Sequence, residues 1–451
     1  MTTIRFALRA ALLLAAGLTA MGSAAAAPKA EPLSTYLATW KLDRPARAVL
    51  EEPSAWNDAK LQVALRLLAR LGLAPADAFA SWCDAATAWP AAPGAALDEG
   101  FVRLEGRVVF VAPLALPEGQ AEIAGRKAID IVRLKTGSGE IVDVIAETVP
   151  AAWPRWRAID EPASVVGLPL TTGSGPSPGP PAATAEPWPA EPHALLLAAR
   201  RVAWHPATPL GRLGMDYGLF DSVADGQKLV PGDTDAFYAM LAAVGRGTQA
   251  GIEQAAGPVA DTLPMIDPKQ RWFQEHRGDP VTVEGTARRA TRIEIDDPRR
   301  RRELGTDHYW ELFVFVPTSL IKINDRLQET YPLVCCVRKL PAGMPTGQTI
   351  NERVRVSGFA LKRYGYPLPR VKGQEAAEPQ RQETPLIIGR QATWLPEPSP
   401  AGATSLLGWV FMLLAGLIGL VLAFGAWRFN RDARLQRRRL RDALPDKIEL
   451  P

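Results

Sequence analysis

The chain has 451 residues, with 52 Lys and Arg against 48 Asp and Glu, four His and three Cys. Three cysteines exclude a disulfide scaffold, and the scattered His193, His205, His276 and His308 argue against a His-rich metal centre. The formal charge of +4 sits in the final segment, where residues 427–451 hold eight basic and four acidic side chains; the body is close to neutral, so the overall charge is weak evidence for nucleic-acid binding.

Residues 1–26 carry Arg5 and Arg9, an Ala- and Leu-rich stretch and the small residues Ala24, Ala25 and Ala26, the layout of a signal peptide cleaved near Ala26. Residues 27–97 form a helical N-terminal segment. Within it, Leu61, Ala64, Leu65, Leu68 and Leu71 recur at helical spacing, Asn57 or Ser54 can cap the helix, and Gly72 can end it. A first β-barrel module occupies 98–207, with strands predicted over 101–111, 128–134, 140–149, 164–168 and 194–204. A helical connector follows over 208–275, in which Asp233 or Thr234 caps a helix carrying Phe237, Leu241 and Val244 on one face. A second module covers 276–397, with strands over 281–295, 308–316, 331–340, 353–363 and 385–394. The arginine run 299–302 reads as a solvated loop, and Cys335 and Cys336, neighbours on a strand, point to opposite faces. Residues 404–426 hold no charge and form a transmembrane helix, with Trp409 and Trp427 near its ends and a basic tail, 427–451, behind it.

The two modules are copies. With a shift of 191, Val149–Leu168 matches Leu340–Phe359 at seven of twenty positions, among them Pro150 and Pro341, Pro154 and Pro345, Glu161 and Glu352, and Gly167 and Gly358. Unrelated sequences would share roughly one or two. Flanking matches keep the order: Val102, Glu105 and Gly106 against Val281, Glu284 and Gly285, then Leu196, Arg200, Trp204 and Pro206 against Leu386, Arg390, Trp394 and Pro396. Five or six short strands in about 110 residues predict a small barrel, so the expected class is mainly β with α: two tandem OB-like modules, each preceded by a helical segment, and one C-terminal transmembrane helix. A β-sandwich is the rival. Gly106 and Gly285 fall inside first strands, where a missing side chain permits a bulge or a sharp bend. Between the last two strands each copy carries a polar insertion, Thr171–Pro192 and Gly365–Thr384.

This combination of signal peptide, paired modules, a Leu-Pro-x-Gly-x-Pro turn at Leu340–Pro345, a strand starting at Gly358 and Phe359, and a C-terminal span resembles bacterial single-pass membrane proteins with tandem OB-like modules. The resemblance implies architecture and carries no activity. The first copy has Ala152 where the second has Gly343, so a site built on that turn would exist in one copy only.

No residue spacing matches a zinc site, a Gly-x-Ser-x-Gly elbow or a phosphate-binding loop, so no catalytic residue, cofactor or metal ligand is assigned. Asp216 and Asp221 read as caps or turn formers rather than a carboxylate pair. The recognition candidate is the aromatic and basic set of the second module: Tyr309, Trp310, Lys362, Arg363, Tyr364 and Tyr366. The sequence therefore points to a binding or scaffolding protein of a bacterial cell envelope, anchored in the cytoplasmic membrane, its N-terminal region exported and its tail cytoplasmic. Its expected partners are the membrane and an envelope protein or glycan, with nucleic acid the least available ligand. The second reading is an envelope enzyme or assembly factor with a carboxylate-based site.

Overall fold

The computed structural model describes residues 31–51, 57–89, 100–116, 118–124, 127–175, 188–189, 191–323, 326–367, 381–396 and 401–442. The signal-peptide expectation over 1–26 and the end of the basic tail lie outside them, as does most of each polar insertion.

Four helices open the chain: α1 (Leu33–Thr39), α2 (Arg44–Glu51), α3 (Asp58–Leu73) and α4 (Ala76–Asp84). Asn57 caps α3 by accepting from the Lys60 amide at 3.1 Å, and Leu61, Ala64, Leu67, Leu68 and Leu71 form its buried stripe. The helix runs one residue past Gly72 and stops before Pro75. The first barrel follows as β1 (Thr87–Ala88), β2 (Val102–Ala115), α5 (Glu118–Ala124), β3 (Ala128–Thr136), β4 (Ile141–Thr148), β5 (Ala158–Gly175) and β6 (His193–Trp204). The connector holds α6 (Pro209–Arg212), a 3-10 turn (Tyr217–Ser222), α7 (Pro231–Arg246), α8 (Gln249–Ala256), α9 (Leu263–Ile266) and α10 (Trp272–Glu275). Then come β7 (Pro280–Glu294), α11 (Pro298–Leu304), β8 (His308–Ile323), β9 (Arg326–Lys339), β10 (Glu352–Pro367), β11 (Arg381–Trp394) and α12 (Ala401–Asp442).

Both barrels close in one strand order. In each, the first strand pairs with the second and the fourth, the second with the third, and the third runs parallel to the fifth: β4 beside β6 in one copy, β9 beside β11 in the other. The fifth strand returns antiparallel to the fourth. This is the five-stranded OB arrangement. The registers also coincide. Val102 faces Gly167 as Val281 faces Gly358, and Trp204 faces Ala163 as Trp394 faces Val354. Trp204 donates to Glu161 at 2.8 Å, and Trp394 repeats that bond to Glu352 at 2.8 Å. The Pro-Ala turns match too, with the Trp153 amide on Pro150 and the Met344 amide on Pro341.

The shared first-strand glycines are required by close approach. A Cβ on Gly106 would come within 2.6 Å of the Lys135 carbonyl oxygen, and one on Gly285 would collide with the Phe315 carbonyl. The expected bulges are present just after them, between Val108 and Phe110 and between Ala287 and Arg289.

Each barrel has a core inside and a second core outside. Val102, Leu104, Val132, Val144 and Val165 fill the first barrel, while Leu61, Leu68 and Trp82 pack with Ile145, Leu196 and Ala198 on its outer face. In the second barrel Val283, Leu312, Val314, Cys335 and Val356 point inward, while Phe237, Met240 and Leu241 of α7 cover Val334, Cys336, Phe359 and Ile388. Helices thus cover the parallel third and fifth strands in both copies, and Cys335 and Cys336 do face opposite ways. Burial pushes the Cys335 thiol up to about 12.

Two local expectations are corrected. Pro231 at the first helical position starts α7 earlier than Asp233, whose buried carboxylate instead accepts from the Val230 and Ala224 amides at 3.2 and 3.0 Å. The arginine run forms α11 rather than a loop: Asp297 accepts from the Arg299 amide at 2.8 Å, and Arg300 is buried against Tyr238, Asp235 and Glu303.

By itself, α12 is a 42-residue helix, and its stretch Gly408–Arg439 is long and apolar enough to cross a bilayer.

Candidate functional site

The six residues proposed for recognition do not share one face. Side chains alternate along β8, so Tyr309 packs outward under α7, with its ring 5.3 Å from Phe237, while Trp310 joins the inner core of the barrel. Burial holds the Tyr309 phenol well above its usual range. Lys362 is fully buried and its ammonium pairs with the buried Asp233, because a bulge between Ala360 and Lys362 turns that part of β10 toward α7. Arg363 pairs with Glu383.

Tyr364 and Tyr366 do come together. Their rings stack at 6.4 Å, and Tyr366 meets the edge of Phe313 at 5.8 Å. Phe313 lies directly across from Arg289 of β7, whose guanidinium sits 3.8 Å from the ring centroid and donates to Glu311 at 2.7 Å. The result is a half-buried face of three rings and one Arg–Glu pair. Sequence reasoning missed Arg289 and Phe313; the alternation of Tyr309, Glu311, Phe313 and Phe315 was the available signal, but the bulge at Arg289 hid its partner strand.

At the matching place in the first barrel the surface is filled from within. Register equates Phe313 and Val334 with Arg133 and Asp143. Arg133 is fully buried, donates to both oxygens of Asp143 at 2.8 and 2.9 Å and to the Pro189 carbonyl at 2.6 Å, and lies 5.0 Å beneath the Trp188 ring. His193 closes the other side, with Nδ1 3.3 Å from Asp143.

No family model matches the sequence, and no curated protein matches it either. A solved structure similar to this chain is a deletion mutant of the single-stranded DNA binding protein from Thermus aquaticus. Identity is 10%, the alignment covers 66% of this chain and 96% of that one, and the TM-score is 0.16, which carries no argument here.

A different feature lies on the first barrel, where two cavities of about 680 and 730 Å³ meet along β5. Ser164 and Val166 line both. Ser164 Oγ is 2.8 Å from His205 Nε2, and His205 Nδ1 is 2.9 Å from the Met215 carbonyl oxygen. The sequence shows no Ser-centred motif; the fold assembles one from residues 41 positions apart. Asp216 is the cap expected, accepting from the Gly218 amide at 2.9 Å and also from the Trp204 amide at 3.0 Å, whereas Asp221 accepts from the Ala151 amide at 2.8 Å, 70 positions away, and so makes a long-range tie instead of a turn. Among the described residues, no group of three or more His, Cys, Asp or Glu could hold a metal ion.

Proposed function

We propose that the protein is a membrane-anchored binding protein of a bacterial envelope that holds a glycan on the outer face of its second barrel. The observation that supports this reading is a face of half-buried rings whose neighbouring cations, among the described residues, are paired: Arg289 by Glu311, Lys362 by Asp233 and Arg363 by Glu383. Binding to a nucleic-acid backbone draws its affinity from unpaired Lys and Arg, which release counterions on contact. A neutral sugar needs instead an apolar ring to lie against and fixed donors and acceptors at its edge, which Phe313, Tyr366 and the Arg289–Glu311 pair supply.

The anchor supports the location. Uncharged sequence followed by arginines orients a single span with its basic end in the cytoplasm, so the barrels lie on the exported side. Alkaline phosphatase fused after Pro400 should be active and the same reporter after Pro451 inactive; the reverse pattern overturns the topology.

For the ligand, the full chain in lipid nanodiscs is titrated by calorimetry with a hexamer of β-1,4-linked N-acetylglucosamine. Stacking contacts are worth roughly 1–3 kcal/mol per ring, so Phe313→Ala with Tyr366→Ala should weaken binding by about 2–4 kcal/mol. Equal affinity in the two proteins, or heat only with oligo-dT, would overturn the glycan reading.

A further inference from the structure

The first barrel holds a hydroxyl, an imidazole and a carbonyl in series, at a place remote in the sequence from the aromatic face. Ser164 lies on β5 across from Glu105 of β2 and Ala203 of β6, and its Oγ is within 2.8 Å of His205 Nε2. A carbonyl can only accept, so the bond of 2.9 Å to Met215 places the neutral ring's proton on Nδ1. Nε2 is thereby left to accept from the Ser164 hydroxyl. Both ends of the relay are tied down. The His205 amide donates to Pro162 at 2.9 Å, and Asp216, next to Met215, accepts from the Trp204 amide and pairs with Arg201 at 2.8 Å. A nucleophile, a base and a group that fixes the base's tautomer are the three parts that activate a serine.

The surroundings select charge. Arg103, Arg212 and Arg246 line the larger cavity with Ser164 and His205, against one carboxylate, Glu105. Arg103 donates to the Cys83 carbonyl at 2.8 Å, Arg212 to Ala207 at 2.7 Å and Arg246 to Leu213 at 2.7 Å, and among the described residues none of the three forms an ion pair. The second copy has none of this. By the repeat, Arg355 stands at the place of Ser164 and Leu395 at that of His205, and Arg355 is bound to Glu284 at 2.8 Å.

We infer that Ser164 is a nucleophile activated by His205 and that it hydrolyses carboxylic esters bearing a negative charge, an activity separate from ligand capture by the second barrel. In the first step Oγ bonds to the ester carbonyl carbon while its proton passes to His205 Nε2. The C–O bond to the leaving group then breaks, and the alcohol departs with that proton. Water attacks the acyl-serine in the second step, giving its proton to His205; the acid leaves and the Ser164 hydroxyl is restored. Met215 and Asp216 are positioning residues, and the arginines bind the substrate's charge.

The test uses the full chain in nanodiscs and a fluorophosphonate probe, which transfers one phosphonyl group to an activated serine with loss of fluoride. Intact mass should rise by one group, mapped to Ser164 by peptide sequencing, with no labelling of Ser164→Ala. His205→Gln should label about 10²- to 10⁴-fold more slowly. With chromogenic esters, the monosuccinate should turn over faster than the acetate, and Arg246→Met should shrink that preference by about 10- to 100-fold. Melting curves for each variant separate loss of fold from loss of chemistry. Absence of Ser164 labelling in the folded wild type, or equal labelling rates in His205→Gln, overturns the proposal, and a purely structural Ser–His bond would give that result with lowered melting temperatures.

Discussion

The two barrels share strand order, register, turn and Trp–Glu bond, and they differ on their outward faces. Where the first barrel buries Arg133 and Asp143 under its own Trp188, the second has Phe313 and Val334 and leaves the ring half open. Where the second joins Glu284 to Arg353 and Arg355, the first has Pro162 and Ser164 and leaves Glu105 facing a cavity. Residues that set backbone approach are the same in both copies, because a Cβ at Gly106 or Gly285 meets a carbonyl whatever lies outside. Outer positions carry no such constraint, and there the two copies differ.

The largest effects should come from disturbing the buried ions. Asp143→Ala leaves the Arg133 guanidinium buried without its carboxylate and should cost about 3–5 kcal/mol in urea unfolding of the first barrel. Arg133→Phe with Asp143→Val, which installs the second barrel's pair, should recover most of that loss. If the double variant is as unstable as the single one, the two faces are not equivalent. Lys362→Met should cost a similar amount in the second barrel by stranding Asp233.

Next in size, Gly285→Val should destabilise the second barrel by about 1–3 kcal/mol through the clash with Phe315, and Gly106→Val should do the same to the first. A loss in one barrel alone would show that the bend is not shared. Smaller still, Trp394→Phe keeps one aromatic ring of the indole and deletes the bond to Glu352, which is worth about 0.5–1.5 kcal/mol, and Trp204→Phe should match it within error.

The smallest effect concerns acid. Hydrogen bonds from Arg355 and Arg353 hold the Glu284 carboxyl below its ordinary range. A depressed folded pKa contributes stability above the unfolded value, lost as pH falls through the folded one. Wild type should therefore lose slightly more stability than Glu284→Gln below the usual carboxylate range, by less than about 1 kcal/mol because the arginines are exposed. Parallel curves for the two proteins would remove Glu284 from the account.

Architecture was legible in the sequence because backbone constraints repeat: Gly106 and Gly285, Pro150 and Pro341, and Trp204 and Trp394 announced two copies, and alternating strands announced barrels. The site was legible only in part. Tyr364 and Tyr366 meet as neighbours on one strand, but Lys362, two residues earlier, turns under α7 at a bulge that no local pattern marks. Ser164 and His205 meet because β5 and β6 pair antiparallel and the chain after β6 stays beside β5, and Arg299–Arg302 looked solvated because Asp235, which holds Arg300 together with Glu303 of the same helix, lies 65 positions away.

The C-terminal helix continues without a break from its apolar stretch through the arginines to Asp442. At a rise of 1.5 Å per residue, Arg441 stands about 21 Å along the axis beyond Trp427. Mobile ions at physiological strength damp a surface field over about 8 Å, so an upright rod would let Arg428 and Arg431 feel anionic headgroups while Arg438, Arg439 and Arg441 project past them. On the proposed topology those outer guanidiniums would then be free to meet a soluble cytoplasmic anion.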